Sequence, residues 1–541
     1  PVLQQTAIEG HAVRAALMCS ALTVLGSTTG RSDYADAALR LWRNMVDRRM
    51  YITGGVGSVA SDEKFADDYV LPNNAYAETC AAIANGFFDQ NINLATGNAA
   101  AVDELERALY NGALSGVSLA GNRYFYENPL ESSRNRLRWT WHACPCCPPM
   151  FLKMMSALPS YIYATDSDNG VYVNLYISSK AKIDLAGGTV SITQSTHYLW
   201  TGEVRITIDS ADTKNFDLNL RVPGWCRGGS SDDGLYTTPT APADAFTVSV
   251  NGQPVSDLKN VNGYAKLHRD WKPGDVVEIH MAMPIQRIKA DDRVEADRGR
   301  VALMRGPIVY CLESADNKGS VRDLFLPENA PISTEQRDDL LGGVTVLHAQ
   351  ARRLQTEGGA DGPTEMTAIP YFANANRGPV SMTVWIPTTT ERAIAPTIAS
   401  LATPSASHCN PSDSVFAMNE GAPPKSSSDQ SRSRFTWWDH RGTQEWAQYD
   451  LDRSRKISGV DVYWWDDARN RGGCRTPESW KLLYKTADGH WQPVRGQSDF
   501  GTKPDAFNVV HFNPIETTAL RIEVQLRPNF SGGILQWRVL P

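Results

Sequence analysis

The apolar positions along the chain change period once. Up to about residue 160 they recur at helical spacing. Ala7, Val13, Ala16, Leu17 and Leu22 mark one helix over 6–26, with Gly26 as its stop. Ser32 or Asp33 caps a second through 38–46, and further helices are predicted at 77–88, 102–114 and 149–158. From about residue 165 the period becomes two. Half-buried strands are predicted at 171–177, 190–193, 204–208, 216–220, 248–254 and 275–280. A further β segment starts near 285, includes 301–304 and 308–311, and reaches 380–386 past an irregular insertion at 312–342. These strands predict two antiparallel sandwiches. Residues 387–412, rich in Pro, Ser, Thr and Ala, read as a linker to a last all-β unit.

Composition adds exclusions. The 541 residues are 42% hydrophobic and 21% charged, ample for large cores. The net charge of −7, without a long basic run, argues against nucleic acid or an anionic membrane as partner. No apolar stretch approaches the ~18 residues expected of a membrane span. The 15 Trp and 19 Tyr suit both sugar stacking and β-rich cores. The sequence starts at Pro1, without Met or a signal-like segment, already in a helical pattern, so a fragment or processed product is expected. Nine cysteines, odd in number and clustered, do not make a disulfide framework; Cys409 with Cys474 is the one pairing to consider.

Candidate chemistry concentrates at Cys144-Pro145-Cys146-Cys147-Pro148-Pro149. The prolines stiffen the backbone, so the thiols are expected on a rigid loop suited to a soft metal ion or a reactive thiolate. The competing reading is a disulfide or a set of buried thiols. Glu78-Thr79-Cys80 stands at a predicted helix entry, where Glu78 on extended backbone converges with Cys80. With Cys146 and Cys147 the set is Cys3Glu, matching tetrahedral zinc. Glu78 as a simple capping acid is the alternative. Upstream lie Asp62, Glu63, Asp67 and Asp68; glycoside hydrolysis usually takes two acidic groups, and spacing does not select among these four. The glycine-rich 51–58 lacks the setting of a phosphate loop.

Several motifs, in order, resemble glycoside hydrolase family 127 and its relative family 146. They are Tyr51-Ile52-Thr53-Gly54-Gly55, Glu63-Lys64-Phe65, Leu71-Pro72-Asn73, Tyr76-Ala77-Glu78-Thr79-Cys80, Glu106-Arg107-Ala108-Leu109-Tyr110, Tyr126-Glu127-Asn128-Pro129-Leu130 and Cys146-Cys147-Pro148-Pro149. The resemblance covers about residues 1–390. It implies a retaining β-L-arabinofuranosidase, with an (α/α)6 barrel followed by two β-sandwiches. It further implies zinc held by Glu78, Cys80, Cys146 and Cys147, with Cys146 as nucleophile and Glu63 as acid/base. His11 and Tyr126 would contact the sugar; Cys144 has no role in that scheme. The implied partner is a plant cell-wall glycan or oligosaccharide, and the implied location periplasmic or secreted. Twelve helices make a full barrel and about five are predicted here, so a partial barrel lacking its N-terminal half, of uncertain activity by itself, is expected.

The last unit resembles the discoidin-like (coagulation factor 5/8 C-terminal) family, which includes a carbohydrate-binding module family. The resemblance rests on Phe416 to Gly421, Thr436-Trp437-Trp438-Asp439, Gln444-Glu445-Trp446, Tyr449-Asp450-Leu451, 460–463 and Leu535-Gln536-Trp537-Arg538-Val539. It implies a structural calcium near the start of the unit, with Asn419 as candidate. Its tryptophans are expected in the core rather than on a sugar platform. The domain reading is therefore 1–162 for the partial barrel, 163–284 and 285–395 for the two sandwiches, and 400–541 for the discoidin-like unit. Alternatives to arabinofuranoside hydrolysis are the same machinery on another pectic sugar, or a non-catalytic glycan-binding protein.

Overall fold

The computed structural model describes the chain apart from residues 1, 135, 228–233, 239–243, 356–359, 420–422, 431 and 497. Pro1 and the Glu420-Gly421 end of the discoidin-like stretch thus lie outside the described residues. The N-terminal region is helical: α1 (Ala12–Thr29), α2 (Ser32–Arg48), α3 (Thr79–Thr96), α4 (Ala99–Arg107) and α5 (Cys147–Ala157). α3 is its centre, with 14 of 18 residues buried. Ala81, Ala82, Ala84 and Gly86 keep it narrow, and α1, α4 and α5 pack close around it.

α1 passes through Gly26 and ends instead at Gly30, in the left-handed conformation. Gly26 is a packing glycine: a Cβ there would lie 2.7 Å from the Ala35 backbone nitrogen. α1 is also long and apolar enough to cross a bilayer by length and composition alone, contrary to the expectation that no stretch approaches that size. In the fold it packs on α2 and α3, through Ala12, Ala15, Cys19 and Leu22. Past Arg107, α4 widens into a π-turn over Ala108–Ala113. There Asn111 donates to the Pro307 carbonyl and accepts from the Val309 nitrogen, docking the helix on the sheet behind it.

The next region packs a six-stranded sheet on a five-stranded one. In the first the order is 253–254, 246–250, 276–281, 203–211, 188–196, 179–185. In the second it is 259–261, 264–270, 215–221, 170–173, 163–165, and Gly170–Val173 runs parallel to Asn215–Arg221. The fully buried Arg221 ties this pair of sheets to α4, with Asp103 at 2.7 Å and Glu106 at 2.5 Å. Its charge is tolerated there because both carboxylates meet it directly.

Nine strands between 285 and 387, with 131–132 and 236–237, form an eleven-stranded sheet. The irregular insertion expected at 312–342 contains a regular strand, Ile332–Arg337, paired with Val344–Arg353. Alternation places Val301, Leu303, Ile308, Tyr310 and Leu312 in one core and Ala302, Met304, Val309 and Cys311 in another, so the sheet is covered on both faces. Glu131–Ser132, from the helical region, adds itself to this sheet against Met382–Thr383.

The expected linker is partly structured. Thr397 and Ser400 form a capping box on the short helix Ile398–Leu401, and Thr403–Ala406 pairs with 447–450. The C-terminal sandwich turns on two long bent strands, Gln444–Trp465 and Phe507–Gln525. Trp437, Trp464 and Trp537 are fully buried in its core. Asn419 donates its side-chain nitrogen to the Ala399 and Ala402 carbonyls, pinning the short helix. Cys409 and Cys474 are both free thiols.

Candidate active site

Three backbone segments converge at the N-terminal ends of α1 and α3. The chain enters α1 through Gly10 and His11; the Gly10 carbonyl accepts from Phe65 and His11 bridges Lys64, which brings the 59–65 loop onto the helix entry. Gly57 permits this closeness, since a Cβ there would meet the Ala12 Cβ at 2.7 Å. Asp62 and Glu63 both hold positive φ (61° and 51°), a conformation unfavourable for such residues, maintained here by the surrounding contacts. The turn directs Glu63 inward. His11 Nε2 lies 2.7 Å from one of its carboxylate oxygens; the hydroxyls of Tyr76 (2.8 Å) and Tyr126 (3.2 Å) donate to the other.

The other acids of that loop have different settings. Asp68 accepts from Arg49 at 2.6 Å and from Asn44 at 3.1 Å, and Asp62 stays in solvent beside Lys64. Of the four carboxylates in question, Glu63 is the one held by His11, Tyr76 and Tyr126.

Glu78 is the residue before α3, on extended backbone (φ −60°, ψ 140°). Its neighbour Thr79 is anchored twice, by its nitrogen to the Tyr126 carbonyl and its hydroxyl to the Phe125 carbonyl, both at 2.8 Å. Cys80 follows one residue into the helix. Cys144 and Cys146 lie on the proline-stiffened loop, but Cys147 is already the first residue of α5. Pro148 and Pro149 are tolerated in that first turn, whose amide hydrogens have no helical acceptor. The four side chains meet: Cys80–Cys147 3.5 Å, Cys146–Cys147 3.8 Å, Cys146–Glu78 3.3 Å and Cys147–Glu78 4.0 Å between ligand atoms.

A tetrahedral ion with ligands at about 2.0–2.3 Å has edges of roughly 3.3–3.8 Å between them. The cluster fits that figure closely, and the buried second oxygen of Glu78 has no hydrogen-bond partner. Among the described residues this is the one group of three or more metal-type side chains spaced to hold an ion.

Electrostatics point the same way. Burial pushes the Glu78 carboxyl up to about 8. Hydrogen bonding to Cys146 raises both Cys80 and Cys147, while the bonds that Cys147 and Cys80 give Cys146 hold its thiol well below the usual range. Burial thus disfavours the charged forms of Glu78, Cys80 and Cys147, a setting in which a bound cation would favour their ionisation.

His11, Glu63, Glu78, Cys80, Tyr126, Cys146 and Cys147 all meet here: Tyr126, whose hydroxyl reaches Glu63, packs in one cluster with Cys80, Cys146 and Cys147. Two features had no assigned role. Tyr76 is a second hydroxyl on Glu63, and its position two residues before Glu78 was the available signal. His142 accepts from the Cys144 nitrogen at 3.1 Å and stacks on Trp139 at 4.2 Å, bracing the cysteine loop. Cys144 itself is exposed, its sulfur 3.9 Å from the Tyr126 hydroxyl.

Comparison with known proteins matches this architecture segment by segment. Residues 1–160 match the family model of the beta-L-arabinofuranosidase GH127 catalytic domain, 170–283 its middle domain and 285–387 the family 127 C-terminal domain. Residues 406–537 match the F5/8 type C domain. The chain is 33% identical over 412 residues to a non-reducing end beta-L-arabinofuranosidase of Bifidobacterium longum subsp. longum, covering 70% of this chain and 59% of that relative. Among solved structures it resembles the GH127 beta-arabinofuranosidase BT3674, at 41% identity and TM-score 0.70, covering 73% and 62% of the two chains. It also resembles a GH127 beta-L-arabinofuranosidase from Geobacillus stearothermophilus T6, at 39% identity and TM-score 0.66, covering 72% and 62%. The chain spans about three fifths of the length of these relatives. With its three successive domains in family order, the chain belongs to glycoside hydrolase family 127, extended by a C-terminal F5/8 type C domain.

Proposed function

We propose that the chain is a retaining, zinc-dependent glycosidase that releases L-arabinofuranose from β-L-arabinofuranosides, with Cys146 as nucleophile and Glu63 as acid/base. The observation that supports this is the close set Glu78, Cys80, Cys146 and Cys147 beside Tyr126, which packs against the same cysteines and donates to Glu63 at 3.2 Å. In this reading the proton donor and the nucleophile face one small space.

Glu78, Cys80, Cys146 and Cys147 would hold the zinc, whose charge, when bound, keeps the thiols ionised at neutral pH. Cys146 is the half-exposed member of the set, so its sulfur is the one open to a substrate. In the first step the Cys146 sulfur forms a bond to the anomeric carbon as the glycosidic C–O bond breaks. Glu63 gives its proton to the departing oxygen. In the second step Glu63 takes a proton from water, which displaces the Cys146 sulfur and restores the anomeric configuration. His11 and Tyr76 hold the two Glu63 oxygens apart, so the carboxyl cannot rotate away between steps. Tyr126 is poised to hydrogen-bond the sugar. The substrate class follows from the family; the F5/8 type C domain suits attachment to a glycan.

The test combines metal analysis, turnover and trapping. The purified chain should carry one zinc per molecule. E63Q, given an activated arabinofuranoside, should accumulate a sugar on Cys146, seen as a mass adduct on its peptide, while C146S should show neither adduct nor turnover. Near-parent turnover by either variant, with the fold intact, would overturn the assignment.

A further inference from the structure

The segment leading into the cysteine loop alternates. Arg138 is buried and pinned inward, donating to the Ser115 carbonyl at 2.7 Å and the Asn374 carbonyl at 2.9 Å. Its neighbours Leu137 and Trp139 are turned outward, 54% and 37% exposed, and Trp141 beyond them is 72% exposed. Three large apolar side chains in five residues, all in solvent, are an unusual surface for a loop that a buried arginine holds rigid.

This strip is continuous with the site. Trp139 exchanges both backbone hydrogen bonds with Tyr124, at 2.8 and 2.9 Å. Its ring lies parallel to His142 at 4.2 Å, and His142 faces the ring of Tyr126 at 5.1 Å. A row of flat rings therefore runs outward from the acid/base carboxylate. Trp139 and His142 stand next to it, and Trp141, between them in sequence, is the most exposed side chain of the stretch. Neither the metal cluster nor the Glu63 contacts use them.

We propose that Trp139, His142 and Trp141 are the leaving-group subsites: a platform for the oligosaccharide from which the terminal sugar is cut. The inference rests on the hydrolase reading and names the other half of its substrate. Sugar rings present flat C–H faces that pack on indole and imidazole surfaces, while their hydroxyls remain in water at an open rim. A platform that starts at the proton donor must carry the group whose oxygen receives the proton. The occupant is accordingly a glycan of two or more units on the leaving side, not a small aglycone.

The deciding comparison uses two substrates with the same terminal arabinofuranose, one an aryl glycoside, the other joined to an oligosaccharide. W141A should lose about tenfold in kcat/KM on the oligosaccharide relative to its loss on the aryl glycoside, mostly through KM. Trp141 is exposed enough that the fold should not notice its removal. W141F should recover part of the loss. A second readout is calorimetric binding of the oligosaccharide to E63Q, weakened about tenfold by adding W141A. Equal losses on both substrates, or unchanged binding, would refute the platform, as would self-association of the chain that W141A abolishes. If neither substrate is cleaved while the oligosaccharide binds through Trp141, the hydrolase reading fails and the platform stands.

Discussion

Around α3, polar and sulfur-bearing side chains are gathered inward: Glu78, Cys80 and Cys147 are almost completely buried. In the C-terminal sandwich the inward groups are indoles. Trp437, Trp464, Trp465 and Trp537 are at most 1% exposed, and Trp537 stacks on Tyr449 at 4.0 Å. The sandwich core fills its volume with largely apolar ring surfaces, and Trp437 and Trp464 give their N–H groups to carbonyls. The helical site instead buries acids that repel each other once ionised. One region buries apolar rings, and the other gathers four side chains of metal-binding type that could share an ion. The comparison teaches where to strike each region: the sandwich by lost volume and, if the proposed ion is bound, the site by its loss.

The largest expected effect breaks the site alone. C147S, or removal of metal by a strong chelator, should abolish hydrolysis and lower the unfolding temperature of the helical region by many degrees. Structural zinc contributes on the order of 10 kcal/mol to small domains. Calorimetry should show the sandwich transition unmoved. If both transitions fall together, the two regions are one cooperative unit.

The converse variant, W537A, should destabilise the sandwich by about 3–5 kcal/mol. Zinc content and turnover of a small aryl arabinofuranoside should stay at parent values below the first transition, checked by denaturant titration beside metal analysis.

A third test concerns the contact between the helical region and the large sheet. Asp297, buried and bonded by Asn73 at 2.9 Å, has its carboxyl pushed up to about 7 by burial, above an unfolded value near ~3.9. The folded form binds that proton more tightly, so stability should fall as pH rises from about 4 to about 7, and stay level above. D297N should flatten this fall; a parent protein whose stability rises through that window would contradict the assignment.

The smallest effect is Y76F. Losing one of three contacts to Glu63 should reduce kcat by about three- to tenfold with folding unchanged, since His11 and Tyr126 still hold the carboxylate.

Much of this was legible in the chain because it depends on near neighbours. Helical period marked α1 to α5, and Cys146-Cys147 with Glu78-Thr79-Cys80 pointed to four side chains that the fold does bring together. The misreadings came where contacts are distant. Gly26 read as a helix stop, but Ala35 of the next helix makes it a packing residue. The supposed linker joins the sandwich because strand 403–406 finds a partner more than forty residues away. Asn419, a candidate calcium ligand in the sequence, gives its amide nitrogen to carbonyls of a short helix, a contact no local pattern showed.

The sequence by itself determined the kinds of element, the candidate cysteine–glutamate cluster, and the family to which the motifs belong, because each is written in residue types at short separations. The tertiary structure decided which of the four carboxylates is held by His11, Tyr76 and Tyr126. Spacing could not separate Asp62, Glu63, Asp67 and Asp68; a turn with two left-handed residues, clamped onto the α1 entry, faces Glu63 toward His11, Tyr76 and Tyr126. It also decided that Trp139 and Trp141 stand in solvent beside the site while the tryptophans of the sandwich are covered. Side-chain direction follows from how the backbone is held by distant partners, and no local pattern encodes that.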